Sequence, residues 1–320
     1  MKILLSADYH VKLKTKNIPD DWAKNRFRAL FAKLHELEQT VELHVLAGDF
    51  FDKIPTLEEL ELYYEFVSGC LCETIIIPGN HEALKKDTTF FSYLKNITSR
   101  LNNKVQVIDQ CYNYKGIDIL PYNMLKAFEK DNNIYDFEYN ILLTHVRGEI
   151  LPHVKPEVDL SIFDKWKMVL AGDLHSTDNS QRNILYPGSP ITTSFHRRPV
   201  DTGICIIDST TLDFFFQALE LPQLIRKTIK VGEPMEPTFP NHTIYEVEGD
   251  IAELSKLNDH ELMDKKISRR INDTALILSP EMTIEQEITD YLTFILDLPT
   301  STVEEVLKLY HDYAKNFKME

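Results

Sequence analysis

The feature that most restricts what this chain can fold into is a series of short apolar runs that end in residues able to bind a metal ion. Ile3–Ala7 leads into Asp8-Tyr9-His10, Val41–Ala47 into Gly48-Asp49, and Thr74–Ile77 into Pro78-Gly79-Asn80-His81. Ile141–Thr144 then leads into His145, and Met168–Ala171 into Gly172-Asp173-Leu174-His175. Such runs, bounded by turn formers, read as buried strands. Helical periods fall between the first three, at 22–38 with Phe27, Leu30, Phe31, Leu34 and Leu37 on one face, and at 56–70. Further strands are expected at 105–108, 184–186, 204–207 and 214–216. An early alternation of strand and helix followed by a run of strands predicts an α/β sandwich of two sheets with helices outside. The carboxyl ends of strands in such sheets form the rim where ligands bind, so the five polar endings should converge. One histidine after a strand is more often structural than a ligand. Five strand ends in series offering carboxylate, imidazole or carboxamide are hard to explain as packing.

Those residue types suit one chemistry. Two divalent ions about 3.5–4 Å apart can clamp an in-line displacement at phosphorus and neutralise the phosphate. Such a pair needs a bridging carboxylate, and Asp49 is the natural bridge. Oxygen and imidazole donors without thiolate favour Mn2+, Mg2+ or Fe2+ over a structural Zn2+. Glycines beside Asp49, Asn80 and Asp173 let the chain turn tightly into the site. His81 follows Asn80 directly and must point elsewhere, which makes it a candidate general acid or a cation against the scissile phosphate.

Composition narrows the setting. With 320 residues the chain is about right for two domains of roughly 150 residues. Its 35 Lys and Arg face 50 Asp and Glu, a net charge of −15. A free-standing DNA-binding module is normally basic, because phosphate neutralisation supplies most of its affinity. An acidic chain can still act on DNA where metal ions carry the local positive charge or a partner holds the DNA. No apolar run approaches the ~20 residues of a membrane span, and the opening MKILLSADYH meets charge too early for a secretory segment. Four cysteines with no C-x-x-C pair suit a reducing compartment. The expected location is cytoplasmic, with no membrane partner.

Taken in order, Asp8-x-His10, Gly48-Asp49-x-x-Asp52, Gly79-Asn80-His81-Glu82 and the late Gly172-x-x-His175 resemble the signature of calcineurin-like metallophosphoesterases. Asp8 and His10 stand at the very start, and Tyr186-Pro187-Gly188-Ser189-Pro190 is similar to a Y-x-G-S-P segment. Both features look most like the SbcD-type nuclease subunits of double-strand-break repair. The resemblance covers about 1–200 strongly and the remainder in outline. It implies a two-sheet metallophosphoesterase sandwich flanked by helices, a small α+β cap and a C-terminal helix-loop-helix. Carried over by position, it places Asp8, His10, Asp49 and His175 on one Mn2+ and Asp49, Asn80, His145 and Asp173 on another, with Mg2+ an alternative metal. His81 is then catalytic without ligating. The chain departs from the family's G-H-x-H in having Asp173 for the first His, which makes the second site harder or leaves it weak. The resemblance also implies DNA as substrate, an SbcC-like SMC-type ATPase as partner, a homodimer, and a bacterial or bacteriophage origin.

The remaining features have bland readings beside the functional ones. Asp52 is expected to cap the turn or helix that follows rather than bind metal. Lys12, Lys14 and Lys16 follow the first ligand pair, and Arg197 and Arg198 form the other compact basic cluster. All five are candidate DNA contacts, although solvated loops would look the same. The helix at 56–70 and Phe90–Leu94 carry more apolar residues than one stripe needs, consistent with a subunit interface or a wide core face. The expected domains are a nuclease domain at 1–221, a DNA-binding or capping domain at 222–282 and a partner-binding tail at 283–320. The cap should hold strands at 227–231, 243–247 and 275–278 and a helix at 251–265; the tail should hold helices at 283–297 and 301–317. The rival functions are a phosphatase or cyclic-nucleotide phosphodiesterase on the same site, and a catalytically weak scaffold subunit that binds the ATPase.

Overall fold

A computed structural model describes residues 1–85, 88–268, 282–296 and 298–316. In chain order the elements are β1 (Lys2–Ser6), α1 (Asp20–Glu38), β2 (Leu43–Ala47), α2 (Leu57–Gly69), β3 (Glu73–Ile77), β4 (Ala83–Lys85), β5 (Thr88–Thr89), α3 (Phe91–Leu101), β6 (Val105–Val107), β7 (Tyr112–Tyr114), β8 (Ile117–Leu120), α4 (Tyr122–Lys130), β9 (Ile141–His145), β10 (Met168–Gly172), β11 (Ile184–Leu185), β12 (Gly203–Asp208) and β13 (Phe214–Ala218). One sheet has the order β13-β12-β1-β2-β3-β6, and the other β11-β10-β9-β8-β7. In the first, β1, β2, β3 and β6 run parallel, and β12 pairs antiparallel with β1. In the second, β8 to β11 are parallel.

Alternation along each strand builds three cores. Ile3, Leu5, Val45, Ile75 and Ile77 face Ile119, Ile141, Leu143 and Leu170 between the sheets. Leu4, Leu46 and Ile76 point the other way, onto Phe27, Leu30, Phe31, Leu34, Phe66 and Phe91 of the helices. Leu142, Val169 and Ala171 pack on Leu125, Phe128 and Trp166 behind the second sheet. The expected α/β sandwich of two sheets with helices outside is therefore the architecture.

Local chemistry sets the helix starts. Thr56 and Glu59 form a reciprocal capping box on α2. The other carboxylate oxygen of the buried Glu59 accepts the Leu13 amide at 2.7 Å and so pins the loop that follows His10. Of the turn or helix cap expected of Asp52, the helix cap falls to Thr56 instead, and the Asp52 carboxylate pairs with Lys12 at 2.7 Å.

The chain divides into two compact units: one of Met1–Thr228, Pro234–Glu246 and Asp259–Lys265, the other of Ile229–Glu233, Val247–Asn258 and Lys266–Glu320. Strands β14 (Leu224–Lys230), β15 (His242–Gly249) and β16 (Met263–Ser268) make a sheet in that order. In the second unit, α5 (Ile251–Leu254) is a single turn, where a helix through 265 was expected. Asn258-Asp259 favours turn conformations over helix, and the segment beyond it extends as β16. Helix α6 (Ile284–Asp290) continues through a π-helical turn at Tyr291–Ile295, and α7 spans Thr300–Asn316. His311 Nε2 lies 3.0 Å from Glu285 Oε1 and ties the two helices together. The strand expected at 275–278 lies outside the described residues.

Candidate metal centre

The carboxyl ends of β1, β2, β3, β9 and β10 bring Asp8, His10, Asp49, Asn80, His81, His145, Asp173 and His175 together. Backbone bonds lock the first two loops to each other: Asp8 N donates to Gly48 O at 3.1 Å and His10 N to Asp49 O at 3.0 Å. Asp49 sits at the middle. Its Oδ2 lies 3.6 Å from His145 Nε2, 3.7 Å from His10 Nε2 and 3.9 Å from His81 Nε2, and its Oδ1 accepts the His81 amide at 3.0 Å. His10 Nε2 is 3.0 Å from His175 Nε2, and His145 Nε2 is 3.1 Å from Asn80 Oδ1.

Backbone strain accompanies this convergence. Asp8, His10, Asp49 and Asp173 all adopt positive φ, at 58°, 45°, 54° and 105°. Non-glycine residues hold such angles only where the surroundings over-determine them, and such sites cluster at functional centres. Gly48, with φ +90°, makes the tight turn foreseen from the sequence. Gly79 serves differently: a Cβ there would lie 2.1 Å from Asp49 Oδ1, so it provides room for the carboxylate rather than a turn.

The donor set suits divalent metal. Three groups of side chains, namely Asp8/His10/His175, His10/Asp49/His81 and Asp8/Asp49/His145, each gather ligand atoms within 4.8 Å of one another. His145 Nδ1 donates to Ala47 O at 2.7 Å, which leaves the Nε2 lone pair facing Asp49 and Asn80. His81 Nδ1 is fixed in the same way on Asp52 O at 2.6 Å, and His175 Nδ1 lies 3.1 Å from Thr193 Oγ1. Burial, reinforced by the nearby imidazoles of His175 and His81, pushes His10 down to about 2, so its ring is neutral and able to ligate. Burial also raises Asp8 well above the ordinary carboxylate range. Against burial, the carboxylates of Asp49, Asp8 and Asp173 lift His145 to about 9. Buried oxygens and ring nitrogens aimed at one another are costly unless a proton or a metal cation lies between them.

Asp173 carries a relationship the sequence did not reveal. Its amide donates to both Asp8 oxygens, at 3.1 and 3.2 Å, while its carboxylate faces the Arg147 guanidinium. Other supporting residues were also missed. The buried Glu82 accepts the amides of Gly79, Phe51 and Asp49 at 2.8, 2.9 and 3.2 Å, so it ties the second and third site loops to one carboxylate. Its place as fourth residue of Gly79-Asn80-His81-Glu82 was the available signal. Ser189 Oγ lies 2.7 Å from Asp8 O, which gives the Tyr186–Pro190 segment its structural role.

The basic candidates are placed less uniformly. Lys12 pairs with Asp52, and Lys14 with Glu58 at 3.4 Å. Arg197 reaches the buried Glu246 at 2.7 Å. Lys16 and Arg198 are exposed, with no ion pair among the described residues.

The Calcineurin-like phosphoesterase model matches residues 1–192, the span that supplies every candidate metal ligand of this centre. The chain belongs to that family. It is accordingly a metal-dependent phosphoesterase. It is also 38% identical over 328 residues to a protein of Escherichia phage T5 named "Probable exonuclease subunit 1", with 99% of this chain and all of the phage protein covered. A protein of Invertebrate iridescent virus 6 described as a candidate phosphoesterase, 244L, is 25% identical over 222 residues, covering 64% of this chain and 75% of its own. Among solved structures, TT1561 of Thermus thermophilus aligns with 68% of this phosphoesterase and 98% of its own chain, at 11% identity and a TM-score of 0.41. Among the described residues no helix is long and apolar enough to cross a membrane.

Proposed function

We propose that the chain is a Mn2+-dependent DNA nuclease, with exonuclease or endonuclease action, and the catalytic subunit of an SbcCD-like repair or recombination complex in the cytoplasm. The observation that carries this is Asp49 Oδ2, within 3.6–3.9 Å of three imidazole Nε2 atoms from three different loops. Asp8, His10, Asp49 and His175 would hold one ion and Asp49, Asn80, His145 and Asp173 the second, with Asp49 common to both. When bound, the ions supply charge neutralisation at the phosphate and a water more acidic than bulk water. The chain's own residues do the rest. Asp52 O fixes the His81 ring with Nε2 on the Asp49 side, and His81, a third exposed, gives a proton to the departing oxygen. Glu82 and Ser189 hold the ligand loops against the strain of their positive φ angles.

DNA as substrate is supported by the phage T5 relative's name, and its description as a subunit supports a partner. An SMC-type ATPase that holds the DNA reconciles the net charge of −15 with such a substrate. In this reading residues 1–221 form the nuclease domain, 222–282 the capping domain and 283–320 the partner-binding tail. Leu57 and Tyr93, 88% and 70% exposed, lie on the homodimer face. Lys12, Lys14, Lys16, Arg197 and Arg198 follow the DNA backbone. The test is metal replacement. A chelator-stripped sample should regain hydrolysis of bis(p-nitrophenyl) phosphate and of DNA with Mn2+, and less with Mg2+. Turnover of the small diester with DNA left intact, even beside an ATPase partner, would move the assignment to a small-phosphoester enzyme.

A further inference from the structure

Arg26 is a cation in the wrong place for a structural residue. It lies on α1, is 6% exposed, and has no ion-pair partner among the described residues. Thr192 takes two of its five donors, with Nη1 3.2 Å from Thr192 Oγ1 and Nη2 2.9 Å from Thr192 O. Nε is buried and makes no hydrogen bond. The guanidinium is held flat by the Trp22 ring, 5.1 Å from its carbon, with Phe27 at 5.7 Å. Burying a guanidinium without an anion is expensive, and burial lowers this one to about 10.

Arg26 lines a cavity of about 80 Å3 that His10, Lys12, Thr15, Trp22 and Thr193 also line. His10 connects this cavity to the metal centre. Asp52 is the carboxylate on its wall, and Lys12 neutralises it at 2.7 Å. A planar fork with unused N–H groups, hydroxyls beside it and no free carboxylate is a phosphate receptor.

We propose that this cavity is an anion site in which Arg26 receives a second phosphate of the polynucleotide substrate, adjacent to the one hydrolysed at the metal centre. The proposal rests on the phosphodiesterase reading and adds a reason for the enzyme to prefer a chain of phosphates over an isolated phosphoester. The site holds the strand and does no chemistry on it.

Inorganic phosphate is the probe, titrated by calorimetry into the full chain with chelator present so that no metal ion captures it. Saturable binding is expected, weakened at least ~10-fold by Arg26→Gln and by less in Arg26→Lys, which keeps the charge but not the planar fork. Absence of saturable binding to the wild type, or equal affinity in Arg26→Gln, overturns the site. Should Arg26→Gln fail to melt cooperatively, fluorescence decides: phosphate must change the wild-type signal and Trp22→Phe must abolish that change. A flat wild-type titration also overturns the site. Turnover of bis(p-nitrophenyl) phosphate by the wild type with Mn2+ is read alongside. Turnover without phosphate binding overturns the anion site alone; phosphate binding without turnover supports the anion site and overturns the hydrolytic reading.

Discussion

Arg147 holds Asp173 with two hydrogen bonds, Nε to Oδ2 at 3.2 Å and Nη2 to Oδ1 at 3.3 Å. Asp173 stands where the resembling nucleases carry the first histidine of G-H-x-H. The guanidinium would therefore compete with a metal ion for the carboxylate proposed to complete the second site. It would also set a positive charge beside an ion held there. Arg147→Ala should tighten binding of a second Mn2+, because it frees the carboxylate and removes a like charge beside the site. Calorimetry with Mn2+ measures this directly. Weaker binding in the variant would show that Arg147 orients Asp173 as a ligand instead.

His81 has its own test. Its Nε2 lies 3.9 Å from Asp49 Oδ2, close enough for a ligand, yet its side chain is a third exposed and its Nδ1 is fixed on a backbone carbonyl. A proton donor should cost about 10²- to 10⁴-fold in kcat when removed. His81→Ala should show that loss with Mn2+ stoichiometry unchanged. Loss of a bound ion in the same variant would make His81 a ligand.

Glu82 accepts three amides from two site loops. Glu82→Gln replaces one accepting oxygen with an amide nitrogen that must face an N–H. Leaving buried donors unmatched should cost about 1–3 kcal/mol in denaturant unfolding, and Mn2+ affinity should fall as the Gly79 and Asp49 loops loosen. Unchanged stability would place the carboxylate outside the folding balance.

The relay behind β1 predicts an acid-sensitive fold. Leu71 N donates to Glu38, whose other oxygen lies 2.7 Å from His44 Nδ1; His44 Nε2 is 2.8 Å from Ser6 Oγ, itself 2.7 Å from Tyr9 OH. Burial alone would raise the Glu38 carboxyl, but His44 holds it below its ordinary 4.5. A carboxyl lower in the folded state than in the unfolded one adds stability that is complete above the ordinary value and lost as pH falls through the folded value. Between about pH 6 and pH 3 the wild-type Tm should therefore drop more steeply than that of Glu38→Gln. Parallel profiles would contradict the relay's contribution.

What was legible in the sequence was whatever local pattern dictates. Ile3–Ala7 and Met168–Ala171 read as strands because apolar residues dominate them, and the polar endings marked the rim because ligands bind at the carboxyl ends of such strands. Strand β8 was missed, although it lies inside the second sheet, because Asp118 interrupts Ile117–Leu120. That carboxylate is fully buried and accepts the Glu138 and Tyr139 amides and the Trp166 indole N–H, partners up to 48 residues away. Arg26 and Arg147 were missed for a related reason. A single arginine on a helix or after a strand reads as solvated until long-range folding sets it against Thr192 or Asp173. The positive φ at Asp8, His10, Asp49 and Asp173 has only a weak residue-type signal, the enrichment of Asp and His at such angles; the loops packing on one another impose it here.

The central claim, that this centre hydrolyses the phosphodiesters of DNA, is tested most directly on end-labelled linear duplex DNA with Mn2+, the wild type beside His81→Ala. Labelled nucleotide released by the wild type, dependent on Mn2+ and lost in the variant, is the predicted result. Intact DNA in both, with the ATPase partner present and with Mn2+ bound at the centre, would contradict it.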